Sequence, residues 1–188
     1  LFLTYPLGRG QLLLGKFVGH SLILALATLI GFGCAMFAIA LLVDDIELSL
    51  LLWAFGRFIV SSTLLGWVFL GLAYVLSSLS AEKSTAAGLA LGVWFFFVLV
   101  FDLALLALLV LSEGRFSPDL LPWLLLFNPT DVYRLINLSG FDAGFSGAAV
   151  LTLGSDLPVP GPWLWLCLWL WMAVPLWLAY RLFNRRCP

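Results

Sequence analysis

Charge is what this chain has least of. Asp, Glu, Lys and Arg make up only 10% of its 188 residues, where a soluble domain carries about 25%. So few charges could not cover a water-facing surface without leaving large apolar patches. A soluble enzyme is excluded on that ground. Histidine is scarcer still, and the single His20 leaves little for general acid–base chemistry. No HExxH, no GxSxG and no pair of intramembrane acids occurs. The three cysteines, Cys34, Cys167 and Cys187, lie far apart without a CxxC, so neither a disulfide framework nor a zinc site is expected. His20, Cys34, Met36, Cys167 and Met172 are soft enough for copper. They fall on different spans, however, and Cys34 and Met36, two apart on a helix, point to different faces. They read as packing residues, with no metal or cofactor bound by this chain.

What the chain has is long apolar runs. Apolar residues make up 63% of it and the mean hydropathy is +1.13, the mark of a chain whose solvent is lipid. A helix needs roughly 20 apolar residues to cross the hydrocarbon core. Four runs qualify: 17–43, 58–79, 86–111 with the one acid Asp102, and 163–180 with Pro175 inside. Residues 1–16 read as an amphipathic segment at the cytoplasmic membrane surface, and 17–188 as the transmembrane domain. The chain opens at Leu1 within that segment and reads as the C-terminal part of a longer protein.

Charge asymmetry orients the spans. The stretches 1–16, 80–85 and 181–188 hold Arg9, Lys16, Lys83, Arg181, Arg185 and Arg186, six of the nine basic residues, against the one acid Glu82. The opposite side holds Asp44, Asp45, Glu47, Glu113, Asp119, Asp131, Asp142 and Asp156, with Arg57, Arg115 and Arg134. The positive-inside rule then puts the C-terminus in the cytoplasm. An outer loop is expected over 112–162. Within it, Leu120 to Phe127 is too short to span and suits an interfacial or re-entrant helix. Asn128-Pro129 ends that piece, and Asp131 to Leu138 reads as a short amphipathic helix. Gly140 to Gly154 and Leu157 to Pro162 read as flexible connection.

Gly10 to Phe17 imitates a phosphate-binding loop, G-x-x-x-x-G-K, but Phe17 stands where Ser or Thr must bind magnesium, and no strand precedes it. It reads instead as a surface helix, with Arg9 and Lys16 near lipid phosphates. Asp102, costly at mid-span, either lines a path or subunit contact, or is held structurally by Ser61, Ser62 or Thr63. The turn Ser80 to Thr85 is either a plain turn or a docking surface. Asn137-Leu138-Ser139 forms a glycosylation triplet.

The run from Leu3 to His20 resembles the membrane subunit of ABC-2 type transporters, in which a pattern L-S-x-P-x-x-R-x-x-I-L-x-G-K precedes the third of six spans. Pro6, Arg9, Gly15 and Lys16 fall on it, with Thr4 in place of Ser and Leu12 in place of Ile. Ile30 to Cys34 and Asn128 to Arg134 extend the resemblance towards the branch that serves maturation of nitrous oxide reductase. The resemblance implies an all-α polytopic permease, type V exporter-like, of which these residues are the last four of six spans. It implies a homodimer in the bacterial inner membrane, a separate ATPase carrying ATP and Mg, and a periplasmic solenoid partner, with no nucleic acid. Pro6, Arg9, Lys16, Glu82 and Lys83 would face the ATPase. Asp131, Tyr133 and Arg134 would face the periplasmic partner, and Asp102 would line a path or pack. The cargo would be a sulfur species or copper. The competing expectations are an ABC-2 permease for a lipid, drug or peptide, a non-transporting assembly factor, and an intramembrane enzyme.

Overall fold

The computed structural model describes residues 9–43, 47–112, 120–141 and 160–185, and all regular structure in them is helical. The first helix, α1, runs Arg9–Leu42 and α2 runs Leu48–Leu79. A third long helix is built from α3 (Lys83–Phe95), a π turn (Phe96–Val100) and α4 (Phe101–Leu111). Two short helices follow, α5 (Leu121–Leu125) and α6 (Pro129–Phe141), and α7 runs Gly161–Arg185. Four of these segments are long and apolar enough to cross a membrane.

Helix length has a consequence. At about 1.5 Å per residue, the 34 residues of α1 extend well beyond a hydrocarbon core about 30 Å thick. The part of the expected surface segment from Arg9 to Lys16 is helical and continuous with the first span. The imitation phosphate loop at Gly10 to Phe17 is therefore helical, without the loop conformation that cradles a phosphate. α7 likewise continues through Pro175. Gly71 on α2 faces that region: a Cβ there would lie 3.4 Å from the Pro175 ring and 3.6 Å from the Met172 carbonyl. A small residue at this position lets the two backbones approach closely.

α2 is the hub, packed against α1, α3, α6 and α7. Its core is a meeting of three i,i+4 pairs: Leu64 and Val68 from α2, Val132 and Ile136 from α6, Leu164 and Leu168 from α7. Residues four apart share one helix face, so each pair presents a single apolar ridge to the other two. By contrast, α1 and the third helix keep most of their Leu, Ile and Phe side chains exposed, as befits surfaces that face lipid or another chain.

Two contacts define one end of the bundle. A Cβ on Gly10 would collide with the Tyr180 ring, and His20 meets Tyr74. The beginning of α1, the end of α2 and the end of α7 therefore lie together, which gathers Lys16, Lys83 and Arg181 at one end. The junction of α5 and α6 sits deep: Phe97, to which it bonds, is the 15th residue of the 29-residue third helix (97 − 83 + 1). The Trp171 indole donates to the Leu126 carbonyl from the middle of α7, at 3.0 Å. Pro6 and residues 142–159, which take in most of the connection expected over 140–154 and 157–162, lie outside the described residues.

Candidate functional site

Asn128 nucleates the site. It is fully buried at the start of α6, followed by Pro129 at a first-turn position that needs no amide. Its Oδ1 accepts the Thr130 amide at 3.0 Å, which caps the helix. Its Nδ2 donates to Asp131 Oδ2 at 2.8 Å and to the Phe97 carbonyl at 2.9 Å. Phe97 lies in the π turn. Such turns tilt carbonyls out of the regular ladder, and here the carbonyl finds Asn128.

Asp131 and Arg134, one turn apart on α6, join Asp102 in a three-residue charge cluster. Arg134 Nη1 pairs with Asp102 and lies 3.0 Å from Asp131 Oδ1. Burial, then the nearby Asp102 charge, push the Asp131 carboxyl up to about 6, against the opposing pull of Arg134 and Asn128. Burial alone would lower the Arg134 guanidinium, but its bonds to Asp102 and Asp131 raise it above its ordinary value. Asp131 in the first turn also meets the positive end of the α6 dipole.

The other flank of α6 bonds to α2. Tyr133 and Ser62 hydroxyls lie 3.1 Å apart, and the Asn137 amide donates to Ser61 Oγ at 3.1 Å. Arg57 donates to the Ile136 carbonyl and to Ser139 Oγ at 3.5 Å, and stacks over Trp53 at 4.5 Å. α6 is thus clamped at its start to the third helix and towards its end to α2, with its apolar ridge in the core.

These contacts correct several expectations. Asp102 is not held by Ser61, Ser62 or Thr63. Ser61 bonds Asn137, Ser62 bonds Tyr133, and Thr63 bonds Thr28 at 2.7 Å. Of the three residues expected on a partner surface, Asp131 is only 4% exposed, Tyr133 is half-buried with its hydroxyl bonded to Ser62, and Arg134 is exposed. The glycosylation triplet is unavailable, because the Asn137 nitrogen is buried and bonded to Ser61 and to the Tyr133 carbonyl. At the opposite end, Lys16, Glu82 and Lys83 are all exposed, and Glu82 and Lys83 open the third helix. Arg9 begins α1. Asn128, Arg57, Ser61 and Asn137 were each noted in the sequence for other reasons, and none for the bonds it makes here. The Asn-Pro-Thr-Asp run carried a signal for the first of them, a cap followed by Pro and an acid in the first turn. Among the described residues no group of acidic, His and Cys side chains is placed to hold a metal ion.

The chain matches the family described as ABC-2 family transporter protein over residues 1–186. It belongs to that family. It is 74% identical over 186 residues to a probable ABC transporter permease protein NosY of Stutzerimonas stutzeri, which covers 99% of this chain and 67% of the relative. It is 69% identical, with the same coverage, to a probable ABC transporter permease protein NosY of Pseudomonas aeruginosa. An ABC-2 family chain with four helices long and apolar enough to cross a membrane is a multi-pass membrane subunit of a transporter.

Proposed function

We propose that this permease serves maturation of the copper-sulfide site of nitrous oxide reductase. The observation that carries the proposal is 74% identity over 186 residues to a NosY permease, together with the resemblance of the Leu3 to His20 run. In this reading the full subunit has six spans, pairs as a homodimer in the bacterial inner membrane, and keeps its C-terminus in the cytoplasm. Two copies of a separate NosF-like ATPase, which binds ATP and Mg, dock at the end that gathers Arg9, Lys16, Glu82 and Lys83. A NosD-like solenoid docks on the periplasmic side, where Arg134 is the exposed member of the α6 triad. The subunit moves a sulfur species or copper, or passes motion to the solenoid.

The geometry supports a mechanical route. ATP-driven closure of the ATPases pushes the protruding start of α1 and the turn before α3. α2 packs against both α1 and α3, so it rocks with them as a rigid body. Arg57, Ser61 and Ser62 carry that motion into α6. The Asp102–Arg134 pair ties the same helix to the third span, so α6 reports the relative position of two spans.

The test is the copper-site spectrum of nitrous oxide reductase purified from a strain lacking this gene. The expected enzyme keeps its electron-transfer copper site and lacks the copper-sulfide site. Normal spectra for both sites in a denitrifying host would refute the maturation role and leave an ABC-2 permease for another cargo, such as a lipid, drug or peptide.

A further inference from the structure

A wedge opens between α1 and α2 at the end of the bundle that gathers the basic residues. Its volume is ≈ 620 Å³. Lys16, His20 and Ile23 line it from α1 at spacings of four and three, so they share one face. Leu70, Ala73 and Tyr74 line it from the antiparallel α2. The lining is graded along the helices. Lys16 lies at the mouth, the His20 Nδ1 and Tyr74 hydroxyl are joined at 2.8 Å just below, and only aliphatic side chains follow. Among the described residues, no carboxylate forms an ion pair with Lys16.

From this grading we infer that the wedge is a binding site for one anionic phospholipid. A cation and two polar groups at the headgroup level match a phosphate and its ester oxygens. The aliphatic walls beneath match an acyl chain, and a lysine stem reaches along apolar surface while its head stays at the interface. A soluble anion would leave those aliphatic walls uncovered, and a zwitterionic lipid brings its own cation to compete with Lys16 for the phosphate. The bound lipid fills the gap between the protruding part of α1 and the hub helix, so that a push on α1 is not lost as tilting. The inference rests on the transmembrane placement of α1 and α2 and not on the identity of the cargo.

Native mass spectrometry of the detergent-purified full-length permease complex, titrated with phosphatidylglycerol or phosphatidylcholine of matched chains, tests it. Phosphatidylglycerol should be retained about fivefold better than phosphatidylcholine, the worth of one well-placed cation near an anionic headgroup. Lys16→Gln should abolish that preference, and Ala73→Trp, which fills the wedge, should remove the retained lipid of either kind. Arg181→Gln, which loses a cation stacked over Trp177 at 4.6 Å, should change neither. Equal retention of the two lipids by the wild type, or unchanged retention in both wedge variants, overturns the site. A photo-crosslinking side chain at Leu70 should capture lipid, and capture of polypeptide instead would overturn it as well.

Discussion

Arg134 has two carboxylates to satisfy and is itself 45% exposed. Its pairing with Asp102 is therefore worth about 0.5–1 kcal/mol in stability, the range of partly solvated ion pairs. A double-mutant cycle of Asp102→Asn and Arg134→Gln, read by thermal unfolding in detergent, should return a coupling energy of that size. A coupling of zero would mean the pair does not join α6 to the third helix. Asp131 adds a pH dependence. Its carboxyl sits at about 6 when folded, against about 4 for an unfolded aspartate. The folded state binds this proton more tightly, so the linked stability is complete below about pH 4 and is lost as pH rises through about 6. The melting temperature of the wild type should fall over that window relative to Asp131→Asn, which does not titrate. Parallel curves for the two proteins would place the titrating group elsewhere.

α6 is the element through which the polar chemistry of the chain is organised. It does not cross the membrane by length, yet its start bonds to the middle of the third helix. Non-helical backbone at such a depth survives only when protein buries and bonds it, and Asn128 is the residue that does this at the α5–α6 junction. Asn128→Ala removes an N-cap, at about 1 kcal/mol, and the bonds that Nδ2 donates to the Phe97 carbonyl and to Asp131, at about 1 kcal/mol each. Hydrogen exchange over 129–134 should accelerate in that variant while the middle of α2 keeps its protection. Unchanged exchange would show that the apolar ridge of Val132 and Ile136 alone holds α6 in place.

For the whole molecule, two ends carry different duties. One gathers the exposed Lys16, Lys83 and Arg181. The other holds α6 in a bonded frame of α2, the third helix and α7. In the proposed transporter the first end receives a push and the second delivers it. Arg9→Glu and Lys16→Glu should each uncouple the assembly. The complex should still form and hydrolyse ATP, while the copper-sulfide absorbance of nitrous oxide reductase falls several-fold. Full maturation in both variants would remove these residues from the coupling surface. The lipid wedge shares Lys16, so Ala73→Trp separates the two roles: it empties the wedge and leaves the charge of the docking end intact.

Long uncharged runs alone determine that this chain has helices able to cross a membrane, because a single segment of roughly 20 apolar residues satisfies its own backbone in lipid only as a helix. The run from Pro6 to Lys16, with its spacing of Pro, Arg, Gly and Lys, was enough for the family. Which side chains meet was not legible. A period of 3.6 residues says that Asp131 and Arg134 share a face, and that Tyr133 and Asn137 share another, but not which helix each face meets. Asp102 read either as lining a path or subunit contact or as held by Ser61, Ser62 or Thr63, because a sequence does not show which side chains from other helices reach it. The tertiary structure decided its partner: α6 docks by its apolar ridge of Val132 and Ile136, and that docking carries Arg134 to Asp102 while turning Asp131 and Tyr133 inward.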